Sequence, residues 1–212
     1  MEDWDAWQLY PQHRWIYNKL DLSMRLGYLC GPTPMPVPRS GEYCVRPIMN
    51  LGGMSAGATI QYLEKDKIHE LPPSYFWCER FIGEQYSVNF EWQNGELEAV
   101  HTSVGQNSAH SLYRHEKWSR IPNRKFKLPE WIYDLTDVEK INMEFIGDNI
   151  LEIHLRWGED FPTEDTTEVI AIWDDTPKQY CEELEQQGYM FYEDYVDAEK
   201  NIPHARLGFY YK

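Results

Sequence analysis

The chain has 212 residues, of which 42% are hydrophobic and 26% charged, and its formal net charge is -15 at pH 7. This composition supports an apolar core and excludes a disordered chain, and the length fits one large domain or two small lobes. Because there is no basic surplus to neutralise phosphates, we do not expect nucleic-acid binding as a main role.

The sequence favours a reducing compartment without membrane insertion. The first residues lack the apolar segment of a signal peptide, and no apolar run is long enough to span a bilayer. The four cysteines are widely spaced and show no CxxC pattern, which is typical of buried thiols in a reducing compartment. We therefore expect a cytoplasmic protein, in the host cytoplasm if the chain is viral.

In chain order, residues 15–26 carry apolar side chains at mixed three- and four-residue spacings, which predicts a helix that stops at Gly27. Lys19 lies on this helix, and a solvated lysine is its simplest interpretation. Four prolines between Gly31 and Gly41 then predict an irregular connection.

A glycine-rich stretch follows a short predicted strand, Tyr43–Val45. Arg46 and Pro47 end that strand, and the next ten residues contain three glycines and Ser55. Glycines let backbone N–H groups approach a ligand closely, and several N–H groups aimed at one point bind anions. The stretch therefore indicates a polyphosphate clamp, with an ordinary glycine-rich turn as the alternative; it matches neither a P-loop nor a dinucleotide-binding pattern.

Alternating apolar residues predict an antiparallel sheet in the rest of the chain. Asn94-Gly95 predicts a two-residue hairpin turn, and the polar, basic residues 105–130 predict a long loop. Pro177 and Gly188 bound a predicted helix. The predicted strands are Ala58–Leu63, Lys67–Glu70, Tyr75–Cys78, Gln85–Trp92, Leu97–Val104, Ile141–Phe145, Ile150–Leu155, Val169–Trp173, Tyr189–Tyr192 and Ala205–Tyr211.

Charged residues gather on the hairpin of residues 141–155. Alternate strand residues share a face, so Glu152, His154 and Arg156 should point together, and Glu144 can join them from the paired strand. The plain interpretation is a solvated face. The alternative is a site for a hard cation such as Mg²⁺, which proteins hold through one or two carboxylates beside substrate phosphates.

Taken in order, these short motifs resemble the ATP-grasp superfamily over about residues 15–157. The resemblance rests on the following segments: Asn18-Lys19-Leu20 with Met35-Pro36-Val37-Pro38, Val45-Arg46-Pro47, the flap Gly52–Gly57, the hinge Cys78–Val88, and the pair Met143-Glu144 and Leu151–His154. The fold that the resemblance implies is α+β, with two lobes whose antiparallel sheets enclose a nucleotide cleft. We divide the chain accordingly into residues 1–78, 79–160 and 161–212, the last as an extension packed on the core.

The resemblance also implies ATP and Mg²⁺ as cofactors and assigns the site residue by residue. Catalytic roles fall to Arg46, Arg156 and Arg114, the last from a basic loop with Lys117 and Arg120 that would anchor a carboxylate substrate. The metal ligands would be Glu144, Glu152 and His154. The nucleotide would be bound by Lys19, Arg46, Gly52, Gly53, Met54, Ser55, Glu79, Arg80, Phe81, Ile82 and Glu84.

Three positions depart from the family pattern. Arg46 stands where the family has lysine, so its phosphate geometry differs. His154 stands at the usual asparagine, and imidazole is a poorer ligand for Mg²⁺ than an amide oxygen. Asn142 stands where the family often has an arginine, whose role Arg156 or a cation of residues 114–127 would take.

We therefore expect an ATP- and Mg²⁺-dependent ligase that joins a carboxylate to an amine through an acyl phosphate. One alternative is a catalytically inactive descendant that binds nucleotide or serves as a scaffold. The other is an acidic, aromatic-rich interaction module, because aromatic residues are enriched at interfaces. The resemblance implies that the family's N-terminal lobe is missing, which would fit a viral or streamlined genome and leaves room for a homo-oligomer or a partner that supplies the lobe.

Overall fold

The computed structural model describes residues 1–52, 55–107, 112, 114–158, 160–193 and 206–212. Within these residues the strands form two antiparallel sheets, which confirms the predicted α+β class. The first sheet contains β1 (Cys30–Pro32), β2 (Gly41–Pro47), β3 (Thr59–Leu63) and β4 (Tyr75–Glu79), in the spatial order β1-β4-β2-β3.

The second sheet is larger. It contains β5 (Gln85–Gln93), β6 (Glu96–Asn107), β7 (His115–Ile121), β8 (Lys140–Ile146), β9 (Asn149–His154), β10 (Glu168–Trp173), β11 (Met190–Glu193) and β12 (Arg206–Tyr211). Their spatial order is β11-β12-β10-β7-β6-β5-β8-β9, so β9 lies at one edge. The first sheet uses residues 30–79 and the second residues 85–211; the division of the chain into three units stays a prediction.

Short helices precede the first sheet. They are α1 (Asp3–Leu9), a 3₁₀ helix (Pro11–Tyr17) and α2 (Lys19–Arg25). The predicted single helix over residues 15–26 is wrong at its start, because Asn18 is the N-cap of α2 and its side chain accepts the Asp21 N–H at 3.0 Å. The predicted stop at Gly27 is confirmed by its positive φ of 75°.

Two helical segments lie later in the chain. A short 3₁₀ helix (Glu130–Asp134) precedes β8. The helix predicted between Pro177 and Gly188 is confirmed as α3 (Lys178–Gln186). Among the described residues, no helix is long and apolar enough to cross a membrane.

The main apolar core covers one face of the second sheet. Val88 of β5 and Met143 and Phe145 of β8 are fully buried there, as alternation along paired strands requires. The predicted hairpin turn is confirmed, since Asn94 and Gly95 have φ values of 54° and 85°, both positive as a type I′ turn needs. The opposite face of the same strands carries polar residues, among them Asn142 and Glu144.

Two sequence predictions of local structure are wrong. Residues 105–130 are not one loop, because β7 pairs with β6 and β10 inside the second sheet. The strand was missed because its charged residues are typical of an exposed loop, whereas Lys117 forms an ion pair with Glu168 on β10. Residues 67–70 form no strand, and the His69 ring instead accepts the Glu64 N–H at 3.0 Å and closes a turn.

Candidate functional site between the two sheets

Two buried cations from the first half of the chain meet one carboxylate of the second sheet. The Lys19 N–H donates to the Ile48 carbonyl at 2.8 Å, which holds the start of α2 against the segment that follows β2. Lys19 Nζ forms an ion pair with Glu152 Oε1, and Arg46 Nη1 donates to the same oxygen at 3.2 Å. Arg46 Nη2 also donates to the Leu151 carbonyl at 3.2 Å, so β2 is joined to the edge strand β9.

Glu152 is held in its ionised form by this pairing. The side chain is buried with Lys19 and Arg46, and buried charges persist only when they are paired. Burial alone would raise the pKa of Glu152, but the charges of Lys19 and Arg46 outweigh it and hold the pKa below its usual range. The two cations therefore keep an anion in the interior of the protein.

Glu144 lies directly opposite Glu152 on the paired strands β8 and β9. Gln85 Nε2 donates to Glu144 Oε2 at 3.1 Å. Burial raises the pKa of Glu144, and the neighbouring negative charge of Glu152 raises it further. A cation placed between the two carboxylates would offset both effects.

His154 stands beside both carboxylates. Its Nε2 lies 3.8 Å from Glu152 Oε2 and 4.0 Å from Glu144 Oε1. Its other ring nitrogen, Nδ1, lies 2.8 Å from Asp3 Oδ2, and Arg156 Nε donates to Asp3 Oδ1 at 2.8 Å. Arg156 therefore sits behind His154, bound to Asp3.

Asp3 is a site residue that the sequence analysis missed. Its side chain is buried in α1 although it carries a carboxylate. Burial would raise the pKa of Asp3, but His154 and Arg156 lower it to about 2. In turn, burial would lower the pKa of His154, and Asp3 outweighs burial and raises it. Asp3 and His154 are 151 positions apart, so no local sequence pattern could have indicated the pair.

A cleft of about 240 Å³ adjoins Arg46 and Leu151, whereas Lys19, Glu144, Glu152 and His154 do not line it. Arg46 and Cys44 line it from the first sheet, and Gln85 and Leu151 line it from the second. Arg46 Nε is buried and has no hydrogen-bond partner among the residues that the structure describes. An unmet buried donor costs free energy.

The glycine-rich flap borders the cleft. Ser55 lines it, and Gly57 takes a φ of +79° at the base of the flap. A Cβ on Gly57 would lie 2.5 Å from the Tyr75 hydroxyl and 3.1 Å from Pro47 Cγ, so only glycine fits there. The Gly52 N–H donates to Asn50 Oδ1 at 3.1 Å. Gly53 and Met54 lie outside the described residues.

The predicted hinge residues Glu79, Arg80, Phe81 and Ile82 all line the cleft. The Glu79 carboxylate accepts the Leu29 N–H at 2.8 Å, and Arg80 forms an ion pair with Glu42. Glu84 is exposed, does not line the cleft, and accepts a hydrogen bond from the Tyr86 hydroxyl at 2.6 Å.

Comparison with solved structures identifies the fold, whereas no protein-family model and no curated protein matches the sequence significantly. An L-amino acid ligase from Bacillus licheniformis superposes with a TM-score of 0.58 at 11% identity, covering 93% of this chain and 66% of that one. An N5-carboxyaminoimidazole synthetase from Staphylococcus aureus, complexed with ADP, has a TM-score of 0.58 at 10% identity and covers 92% of this chain and 67% of its own. An ADP complex of PurK, an N5-carboxyaminoimidazole ribonucleotide synthetase, has a TM-score of 0.60 at 12% identity and covers 99% of this chain and 72% of its own. These are ATP-grasp proteins. This chain has the ATP-grasp fold. It spans about two thirds of the length of the structures it matches.

Within the ATP-grasp fold, Arg114 is not brought to the cleft. Its guanidinium pairs with Asp174 and Asp175 and lies over the Trp173 ring. The neighbouring basic residues are also engaged elsewhere, since Lys117 pairs with Glu168 and Arg120 donates to the Glu164 carbonyl. Leu112 and Asn107, from the same segment, do line the cleft.

The donor set beside the ATP-grasp cleft fits a divalent cation with two carboxylate ligands. In the described part of the chain, no three His, Cys, Asp or Glu side chains are already grouped as metal ligands. Glu144 and Glu152 nevertheless face each other from paired strands. Proteins usually supply one or two carboxylate ligands to Mg²⁺, and water and substrate phosphates fill its remaining coordination positions.

Proposed function

We propose that this protein binds ATP in the cleft between its two sheets and uses it, with Mg²⁺, to join a carboxylate to an amine. The observation that carries the proposal is the convergence of two buried cations, Lys19 and Arg46, on Glu152 at the edge of a cleft that Arg46 lines. Solved structures with the same fold include an L-amino acid ligase and two ADP complexes, which supports both the nucleotide and the ligase chemistry.

Lys19 and Arg46 would bind the phosphate oxygens of ATP. Charge-assisted hydrogen bonds to phosphate are about twice as strong as neutral ones, and the guanidinium fork can donate two of them. Glu152 already pairs with both cations and holds them in place before the nucleotide arrives. The binding site is therefore organised in advance, which lowers the entropy cost of binding.

The rest of the cleft would hold the nucleoside. Backbone groups and apolar atoms of Glu79, Arg80, Phe81 and Ile82 would border adenine, and Glu84, just outside the cleft, would accept from the ribose hydroxyls. Ser55 and the backbone N–H groups of the flap would cover the phosphates. Closure of the flap would exclude the water that otherwise hydrolyses a reactive intermediate.

Glu144 and Glu152 would hold Mg²⁺, which when bound neutralises phosphate charge and acts as a Lewis acid. The carboxylate substrate would attack the terminal phosphorus of ATP and release ADP. The amine would then attack the carbonyl of the acyl phosphate, form the C–N bond and release phosphate. Arg46 and Lys19 would stabilise the negative charge that develops in the phosphoryl transfer.

One observation favours a second candidate, nucleotide binding without ligation. The two arginines expected to act beside Arg46 do not line the cleft, because Arg156 is bound to Asp3 and Arg114 is paired with Asp174 and Asp175. A protein of this kind would bind ATP tightly but activate no acid.

An ADP-release assay across pools of carboxylates and amines separates the two candidates. Release that requires both an acid and an amine, and that is lost in Glu144→Gln and Glu152→Gln, supports the ligase. Tight ATP binding with no ADP release from any pool supports the second candidate. A protein that binds no ATP would contradict both.

A further inference from the structure

Three cysteines form a row across the first sheet. Cys78 of β4 lies in register with Cys30 of β1 on one side and with Cys44 of β2 on the other. Residues directly opposite each other on antiparallel strands have their side chains on the same face, with Cβ atoms about 4.5–5.5 Å apart. All three are free thiols. The row therefore gives Cys78 a thiol neighbour on each side.

Two of these thiols face the cleft. Cys44 and Cys78 line it, whereas Cys30 does not. β2 is flanked by β3 and β4 within the sheet, so a reagent reaches Cys44 from the cleft. Cys44 is partly exposed, and Cys78 is 2% exposed. A reagent in the cleft therefore meets Cys44 first, with Cys78 directly beside it.

We propose that Cys44 and Cys78 are a dithiol that a peroxide in the empty cleft oxidises to a disulfide, and that a bound nucleotide shields from oxidation. The proposal goes beyond the ligase function, because the modification needs no ligase chemistry. In a reducing compartment the dithiol is the resting form, since disulfides there are usually transient and serve catalysis or redox sensing.

The oxidation balances with one molecule of peroxide. The Cys44 thiol loses its proton and its sulfur attacks a peroxide oxygen; the O–O bond breaks, and the products are a sulfenic acid and water. The Cys78 sulfur then attacks the sulfur of the sulfenic acid, so that the S–S bond forms, the S–O bond breaks and a second water leaves. The two thiols lose two electrons in total, and the peroxide is reduced to water.

The spacing of the two strands permits this bond. Disulfides join cysteines whose Cα atoms are about 4.4–6.8 Å apart, and residues directly opposite on antiparallel strands have Cα atoms about 4.5 or 5.5 Å apart. The Cβ atoms of a disulfide lie about 3.8 Å apart, so the two Cβ atoms must approach by about 1 Å. A shift of this size is within the reach of two neighbouring strands at the wall of a cleft.

The rate of oxidation depends on the thiolate, which is the attacking form. Burial raises the pKa of Cys44 and raises that of Cys78 to about 12, and the Arg46 cation lowers both. Glu152 also raises the pKa of Cys44, and Lys19 lowers it. The thiols are therefore mainly protonated at pH 7, and the reaction is expected to be faster at about pH 9.

Peptide mapping reads the product directly, because each cysteine lies on its own tryptic peptide. Trypsin cleaves between each pair of neighbouring cysteines, after Arg39, Lys65 and Arg80. Reduced protein is treated with hydrogen peroxide at about pH 9, the remaining thiols are alkylated, and the digest is analysed by mass spectrometry without reduction. The expected product is a pair of peptides joined through Cys44 and Cys78.

Serine variants identify the order of reaction. Cys78→Ser should leave Cys44 as a sulfenic acid that dimedone captures, because the resolving thiol is gone. Cys30→Ser, the matched control in the same row, should leave the Cys44–Cys78 crosslink unchanged. A wild-type crosslink from Cys78 to Cys30 in place of Cys44, or crosslinks to Cys181 at the same rate, would overturn the proposal. If a serine variant fails to fold, the wild-type map decides.

The non-hydrolysable analogue β,γ-methylene-ATP, added with Mg²⁺, tests the shielding. At about 100 times its dissociation constant about 1% of the clefts are empty, so crosslinking should slow about 100-fold. An analogue that binds by calorimetry yet leaves the rate unchanged overturns the shielding. No crosslink in a protein that binds the analogue overturns the dithiol alone. A crosslink in a protein that binds no analogue overturns the proposed function and the shielding, whereas the dithiol is supported by its crosslink.

Discussion

Arg46 on β2 and Glu152 on β9 are 106 positions apart in the chain, yet Arg46 Nη1 lies 3.2 Å from Glu152 Oε1. The contact joins the small sheet to the edge of the large one at the point where the cleft opens. Lys19 reaches the same carboxylate oxygen from α2, so one anion organises two cations.

This arrangement predicts that substitutions of Glu152 and of Arg46 lower the free energy of unfolding by different amounts. Glu152→Gln leaves two buried cations without their anion and should lower the free energy of unfolding by about 3–5 kcal/mol. Arg46→Met keeps the apolar stem and leaves Glu152 paired with Lys19, so its cost should be smaller, about 1 kcal/mol. Chemical denaturation of both variants measures the difference, and a larger loss in Arg46→Met would refute it.

Two partly buried histidines predict a fall in stability on mild acidification. Burial lowers the pKa of His101 and of His115 to about 4, from an ordinary value of 6.5. Between these values the unfolded state binds protons that the folded state does not, so stability is full above about pH 6.5 and falls as the pH drops towards 4. The loss should approach roughly 3 kcal/mol at most for His115, since one pKa unit corresponds to about 1.4 kcal/mol, and should be smaller for the more exposed His101 because solvent screens its charge.

Denaturation curves collected from pH 7.5 to pH 4 measure this slope. The double variant His101→Gln, His115→Gln should show a flatter dependence over that window, because it lacks both titrating groups. An unchanged slope in the double variant would show that other groups cause the loss.

Gly57 and Gly95 make a matched pair for the flap. Both have positive φ, 79° and 85°, but a Cβ meets the Tyr75 hydroxyl at 2.5 Å only at Gly57 and finds nothing within 4 Å at Gly95. Gly95→Ala should cost about 1 kcal/mol for its backbone conformation alone. Gly57→Ala should cost more and weaken nucleotide binding, because Tyr75 or Pro47 must move.

Thermal unfolding compares the two glycine variants. Tyr75→Phe removes the nearest atom, so it should restore part of the stability lost in Gly57→Ala. Equal losses in Gly57→Ala and Gly95→Ala, with no recovery on adding Tyr75→Phe, would show that the flap is not packed as described.

Features that depend on neighbouring residues could be predicted from the sequence. Asn94-Gly95 gave a hairpin because both positions tolerate positive φ. Alternation along β8 and β9 placed Glu144 and Glu152 on one face, and their register places them opposite each other. The ATP-grasp fold could be inferred only because several such local motifs occur in a fixed order.

Features that depend on pairing across the chain could not be predicted. Asp3 has no periodic signal around it, and its partner His154 is distant in sequence. The sequence of β7 looked like a loop because it is rich in cations. In the structure, Lys117 pairs with Glu168 on β10 and Arg120 donates to the Glu164 carbonyl. The cysteines also looked unrelated, although Cys78 lies in register with Cys30 on one side and with Cys44 on the other.

The most direct test of the central claim is calorimetric titration of the wild type and of Arg46→Ala with ATP and Mg²⁺. We expect one ATP per chain in the wild type and at least tenfold weaker binding in Arg46→Ala, since removal of one hydrogen bond to a charged group costs about 1.5–3 kcal/mol. Lys178→Ala, which removes the exposed ion pair with Glu182 on α3, is the control and should bind like the wild type. No binding of ATP by the wild type, or equal affinity in Arg46→Ala, would contradict a nucleotide site at this cleft.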